Sequence, residues 1–81
     1  MTTTHETRIT FGRNTRTTEC PDGFYPVKRD GHEVGYIDYG SRGAMMLWRV
    51  YAGALCIAAS PTLAGAKDTA RWYFAIPRKA L

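Results

Sequence analysis

The chain is poor in the residues from which enzymes and metal centres are built. It holds two cysteines (Cys20, Cys56), two histidines (His5, His32) and two serines (Ser41, Ser60). None of these cysteines and histidines fall at the short paired spacings that zinc sites use, so neither a metal nor a cofactor is expected. Ser41 sits in a glycine-flanked stretch that reads as a turn, and Ser60 reads as a helix cap. Cys56 lies among small apolar residues, the setting of a packed thiol rather than an activated one. Asp30 belongs to a turn, Glu33 is expected to pair with Lys28, and Asp38 falls near a strand end, which leaves no carboxylate pair for acid–base work. Gly40-Ser-Arg-Gly43 lacks the Lys-Ser/Thr ending of a phosphate-binding loop. The expectation is a protein without catalytic activity.

Also missing are a run of five like charges and an apolar stretch near the amino terminus, so neither a polybasic tail nor a secretory signal is expected. That argues for a reducing cytoplasm and two free thiols, a Cys20–Cys56 disulfide being the alternative. Residues 43–66 carry one charge, Arg49, and nearly match a bilayer in length. Their alanine, glycine, serine and threonine supply little transfer free energy, and Pro61 breaks the pattern, so no membrane span is expected. At 81 residues there is room for one domain. Such a chain buries only about 60% of its unfolded surface, so a partner or a second copy would add to a thin margin. The net charge of +4 favours acidic partners, nucleic acid among them.

What is present is a pair of hairpin signals. Asp30-Gly31 suits a two-residue turn with positive φ at both centres. If Arg29 and His32 close it, Lys28 opposes Glu33, Val27 opposes Val34, and Tyr25 opposes Tyr36. A second hairpin follows if Ala52-Gly53 is its loop: Tyr51 then opposes Ala54, Val50 opposes Leu55, Trp48 opposes Ile57, and Met46 opposes Ala59. One apolar helix over 44–59 is the competing reading, weakened by Gly53 and by the two-fold alternation. Residues 1–22 form a polar segment, with 7–11 alternating as an amino-terminal edge strand and 12–22 reading as a loop. Residues 23–81 form the compact part. Ser60 as N-cap and Pro61 at the first helical position open a helix. Its apolar stripe is Leu63, Ala66, Ala70, Tyr73 and Phe74, with Lys67 and Arg71 on another side. The helix runs to Pro77, or ends near Ala70 with a last strand over 72–76.

The expected fold is α+β: a four-stranded antiparallel meander with one carboxy-terminal helix on one face. In these registers Tyr25, Val27, Val34, Tyr36, Met46, Trp48, Val50, Leu55 and Ile57 turn under the helix. Phe24, Lys28, Glu33, Ile37, Tyr39, Leu47, Arg49 and Tyr51 turn away. Tyrosine, arginine and leucine on an open sheet face have the composition of a binding surface, and aromatic groups with cations also stack on single-stranded bases. The amino-terminal segment folding over this face is the plain structural alternative.

The signals "RDGHEVGYI", "LWRVY" and "SPTLAGAKDTA" give residues 25–70 an order that resembles many short phage and mobile-element proteins. The plan looks like integrase arm-binding modules and is similar in layout to small phage inhibitors of host defence, including anti-CRISPR proteins. The resemblance implies a non-catalytic protein that occludes a host protein or ribonucleoprotein complex. Many such inhibitors mimic DNA and are acidic; this basic chain departs from that pattern. On the residue reading, Lys28, Tyr39, Arg49, Tyr51 and Leu47 supply the contacts. A small DNA- or RNA-binding module using the same face with Arg13, Arg16 and Arg42 is the alternative. Self-association through the face, as a homodimer, is a further alternative.

Overall fold

The computed structural model describes residues 7–18 and 20–76. Five strands form one antiparallel sheet: β1 (Ile9–Phe11), β2 (Phe24–Arg29), β3 (His32–Arg42), β4 (Met45–Ala52) and β5 (Leu55–Ser60), followed by α1 (Leu63–Ala75). Sheet order follows chain order, a pure meander. The fold class is therefore as expected, but with five strands rather than four. The fifth is the amino-terminal edge. Ile9 and Phe11 stand opposite Arg29 and Val27. The Asp30 amide donates to the Arg8 carbonyl and the Gly12 amide to that of Pro26, each at 2.8 Å. Residues 12–22, read as a loop, are tied down further, since Thr15 and Phe24 exchange backbone hydrogen bonds of 2.8 and 2.9 Å. Without this segment β2 would present an unpaired row of amides and carbonyls.

The first hairpin turns where expected. Asp30 and Gly31 have φ of 52° and 86°, the pair of positive values a type I′ turn needs. Arg29 pairs with His32 and Lys28 with Glu33, after which the register shifts and Val27 faces Gly35. Val34 is the extra residue of a β-bulge. Because side chains alternate with period two, that one residue moves the rest of β3 to the opposite face. Ile37, expected outside, is fully buried with Val27 and Val50, while Tyr36, expected inside, turns out. Tyr39, expected among the contact residues, turns inward and packs 5.0 Å from the Trp48 ring. The cause is visible at Gly35. A methyl group there would collide with the Tyr51 carbonyl and lie 2.8 Å from Cζ of Phe74. Only glycine lets the helix's largest buried side chain reach the sheet, and the bulge brings Gly35 to that point.

The second hairpin differs in the same manner. Its loop is Gly53-Ala54 rather than Ala52-Gly53, with Ala52 opposite Leu55 and Tyr51 opposite Cys56. Gly53 has φ of 62° and Ala54 is not left-handed, the pattern of a turn that wants glycine first. A second shift leaves Ile57 extra, and Val50 meets Ala58. Leu55, beside the loop, and Met46, beyond the last β4–β5 pair, were expected in the core and are 68% and 50% exposed. The turn expected at 40–43 lies two residues later, at Gly43-Ala44, because β3 runs on to Arg42 and pairs it with Met45.

The helix is continuous to Ala75, which removes the alternative of a last strand. Its N-cap is Thr62, not Ser60: the Thr62 hydroxyl accepts from the Gly65 amide at 3.0 Å. Ser60 is held in β5 opposite Trp48, so it cannot serve as the cap. Ala66, Ala70 and Phe74 are buried and Leu63 and Tyr73 flank them, the stripe the spacing predicted. Burying Val27, Ile37 and Val50 contributes about 1.5–3 kcal/mol each. Among the described residues no helix is long and apolar enough to cross a membrane.

Candidate functional site

The face of the sheet turned away from the helix carries a connected row of side chains. Asp38 and Arg49 are direct register partners on β3 and β4. The Arg49 Nε donates to Asp38 Oδ1 at 2.8 Å and Nη2 to Oδ2 at 2.9 Å, a two-pronged ion pair. Its third edge, Nη1, donates to the Ser41 carbonyl at 2.8 Å. Gly40 makes room for this, since a Cβ there would strike the guanidinium. Asp38 is 8% exposed, and the pairing lets a carboxylate sit in so dry a place. The hydrogen bond to Asp38 holds the Arg49 pKa above its ordinary value, against the opposing effect of burial. Arg49 stays charged at every accessible pH.

Aromatic rings continue the row. Tyr51 and Tyr36 are also register partners, and their rings stack at 4.8 Å and 9°. Phe24 packs edge-on against Tyr36 at 5.8 Å. The Arg49 guanidinium lies 5.5 Å from the Tyr51 ring centre. Burial raises the Tyr36 pKa above 10, with Asp38 and Tyr51 adding to the effect and Arg49 opposing it. Beside Tyr36 an open cleft of about 370 Å³ is lined by Thr17, Cys20, Phe24, Tyr36 and Asp38. Leu47 stands opposite Gly40 on the same face, half-buried. Both cysteines are free and half-buried.

Of the residues singled out from sequence, Arg49, Tyr51 and Leu47 belong to this row. Lys28 and Arg42 are exposed at its two ends, on β2 and β3. Tyr39 is lost to the other side through the Val34 bulge. Lys28 and Glu33 are register partners but make no ion pair; those among the described residues are Arg49–Asp38 and Arg71–Asp68. Arg13 and Arg16 are exposed between β1 and β2, outside the strands that carry the row. Asp38 and Tyr36 are the members that sequence reasoning did not place on this face; Phe24 was placed on it but not among the contact residues. The signal for Asp38 was available: shifted by one bulged residue, it falls directly across from the cation expected to be free. The described part of the amino-terminal segment adds to the sheet's edge, and Thr17 and Cys20 line the cleft beside Phe24, Tyr36 and Asp38. Among the described residues no three of His, Cys, Asp and Glu come together as a metal site would require. Comparison of the chain with protein-family models, curated proteins and solved structures finds no match.

Proposed function

We propose that the chain is a non-catalytic binding protein that docks a protein partner on the helix-free face of its sheet. The observation that carries this reading is the state of Arg49 and the two tyrosines. Stacking on single-stranded bases needs free ring faces and a cation to offer the backbone. Here Tyr36 and Tyr51 each give one ring face to the other, and Arg49 is committed on all three edges. What the row offers instead is ring edges, Leu47, and a mainly apolar cleft beside Tyr36 that can receive a partner's side chain. That is the make-up of an interface with a few aromatic anchors and a polar rim, Lys28 and Arg42 being rim. The role that the phage-protein resemblance implies, occlusion of a host defence protein or ribonucleoprotein complex in a reducing cytoplasm, is consistent with such a surface.

The test is capture from a host lysate, with and without nuclease, using wild type and Leu47→Glu as baits. The expected species resists nuclease and high salt and is lost with Leu47→Glu while the variant keeps its fold. Capture abolished by nuclease, or falling steeply with salt, would instead establish the nucleic-acid reading through Lys28, Arg42, Arg13 and Arg16.

A further inference from the structure

The edge formed by β1 is open and basic. The Asp30 amide reaches the Arg8 carbonyl and the Gly12 amide reaches that of Pro26, so Arg8, Thr10 and Gly12 turn their backbone groups toward β2. Alternation along an antiparallel strand then turns the amides and carbonyls of Ile9 and Phe11 outward. β1 is the last strand on that side of the sheet, and no described residue bonds to these groups. Cations stand along the same edge. Arg8, Arg13 and Arg16, which flank β1 in the chain, are exposed. From α1, Lys67 lies 5.4 Å and Arg71 5.2 Å from the Phe11 ring centre, and Lys67 lies 5.1 Å from that of Tyr25. Arg71 pairs with Asp68, an exposed contact worth little in water. The others have no carboxylate partner among the described residues. A strand added here would lie about 4.8 Å beyond β1, so a side chain paired with Phe11 would come up beside Lys67 and Arg71.

We propose that the β1 edge docks an extended acidic segment of a partner protein, which adds a sixth strand to the sheet. Charge selects its sign. Unpaired cations on a chain of net charge +4 attract carboxylates and repel a second copy. Backbone chemistry selects its class. The edge offers carbonyls as well as amides, and a peptide backbone answers both at the same repeat, whereas a phosphodiester backbone supplies acceptors alone. The opposite edge, β5, carries no charge and makes no such choice. This edge is separate from the Tyr36–Arg49 row and does not rest on that row's proposed role.

The test titrates the full chain at low salt with a short, end-blocked peptide of alternating glutamate and valine. Binding is expected, with slower hydrogen exchange at the Ile9 and Phe11 amides and unchanged exchange in β5. Methylating the peptide's edge-facing backbone nitrogens should weaken binding by about tenfold or more. Replacing its glutamates with lysine should abolish binding. Lys67→Glu and Arg13→Glu should each weaken it about fivefold, the upper range of an exposed charge pair, with circular dichroism unchanged. The proposal is overturned if the acidic peptide does not bind, or if its methylated form binds equally well. It is overturned too if slowed exchange falls on β5 or on the Tyr36–Arg49 row, or if oligodeoxythymidine of equal charge binds more tightly than the peptide.

Discussion

The two faces of this sheet are made from neighbouring residues of the same strands, yet they are held together by different physics. Under the helix, Val27, Ile37, Val50, Ala66, Ala70 and Phe74 form a dry cluster whose stability comes from area removed from water. On the other face, Phe24, Tyr36, Tyr51, Arg49 and Asp38 are joined by directed contacts, two rings stacked at 4.8 Å and a carboxylate gripped by two donors. The first arrangement tolerates rearrangement of shape at constant volume; the second is lost if one partner moves. The difference teaches that a pre-organised polar row can be built on the back of a small core. It needs only that each strand deliver its residues to the correct side.

Four substitutions break or sharpen that comparison. The largest effect is expected at Phe74→Ala, which empties the centre of the helix side and should cost about 3–5 kcal/mol in urea unfolding. Loss of that size removes most of a small domain's stability, so it is best measured in a stabilising co-solvent. On the other face Asp38→Ala leaves Arg49 without its carboxylate. About 3 kcal/mol is expected, the low end for breaking a buried pair, because the arginine side chain keeps 22% of its surface in water. The double variant Asp38→Ala with Arg49→Met should recover part of that loss, whereas Phe74→Ala has no such rescue. Thr62→Ala removes the helix cap and should cost about 1 kcal/mol, leaving the tyrosine stack intact by near-ultraviolet circular dichroism.

The smallest effect is a pH dependence confined to the outer face. Burial raises the Tyr36 pKa in the folded state above the ordinary 10. The folded chain therefore holds that proton longer than the unfolded one. Its contribution to stability is fully present below pH 10 and is lost as pH rises through the raised value. Wild-type stability should fall over that window, and Tyr36→Phe should flatten the fall without changing stability at pH 7 by more than a small amount.

Legibility of this fold in its sequence tracked how local each cause was. The Asp30-Gly31 turn and its first two residue pairs were readable because two positive-φ residues specify them. The apolar stripe Leu63, Ala66, Ala70, Tyr73, Phe74 was readable because helical spacing is a local property. The bulges at Val34 and Ile57 were not: at the first, Gly35 sits beneath Phe74, a contact distant in sequence, and at the second Ile57 is left over where Val50 meets Ala58. From the first, Ile37 and Tyr39 moved inward and Tyr36 moved outward. Arg49 and Tyr51 kept their side because neither extra residue lies in β4. The cap moved from Ser60 to Thr62 for a related reason, since β5 extends far enough to claim Ser60.

The Val34 bulge is the hinge of the whole account, and ring-proton nuclear Overhauser spectra read it directly. The structure requires strong cross-peaks between the Tyr36 and Tyr51 rings, together with cross-peaks from the Ile37 methyls to the Phe74 ring. Cross-peaks from Tyr36 to Tyr25 and Val34 to Val27 in register, with Ile37 remote from Phe74, would contradict it and dissolve the proposed docking face.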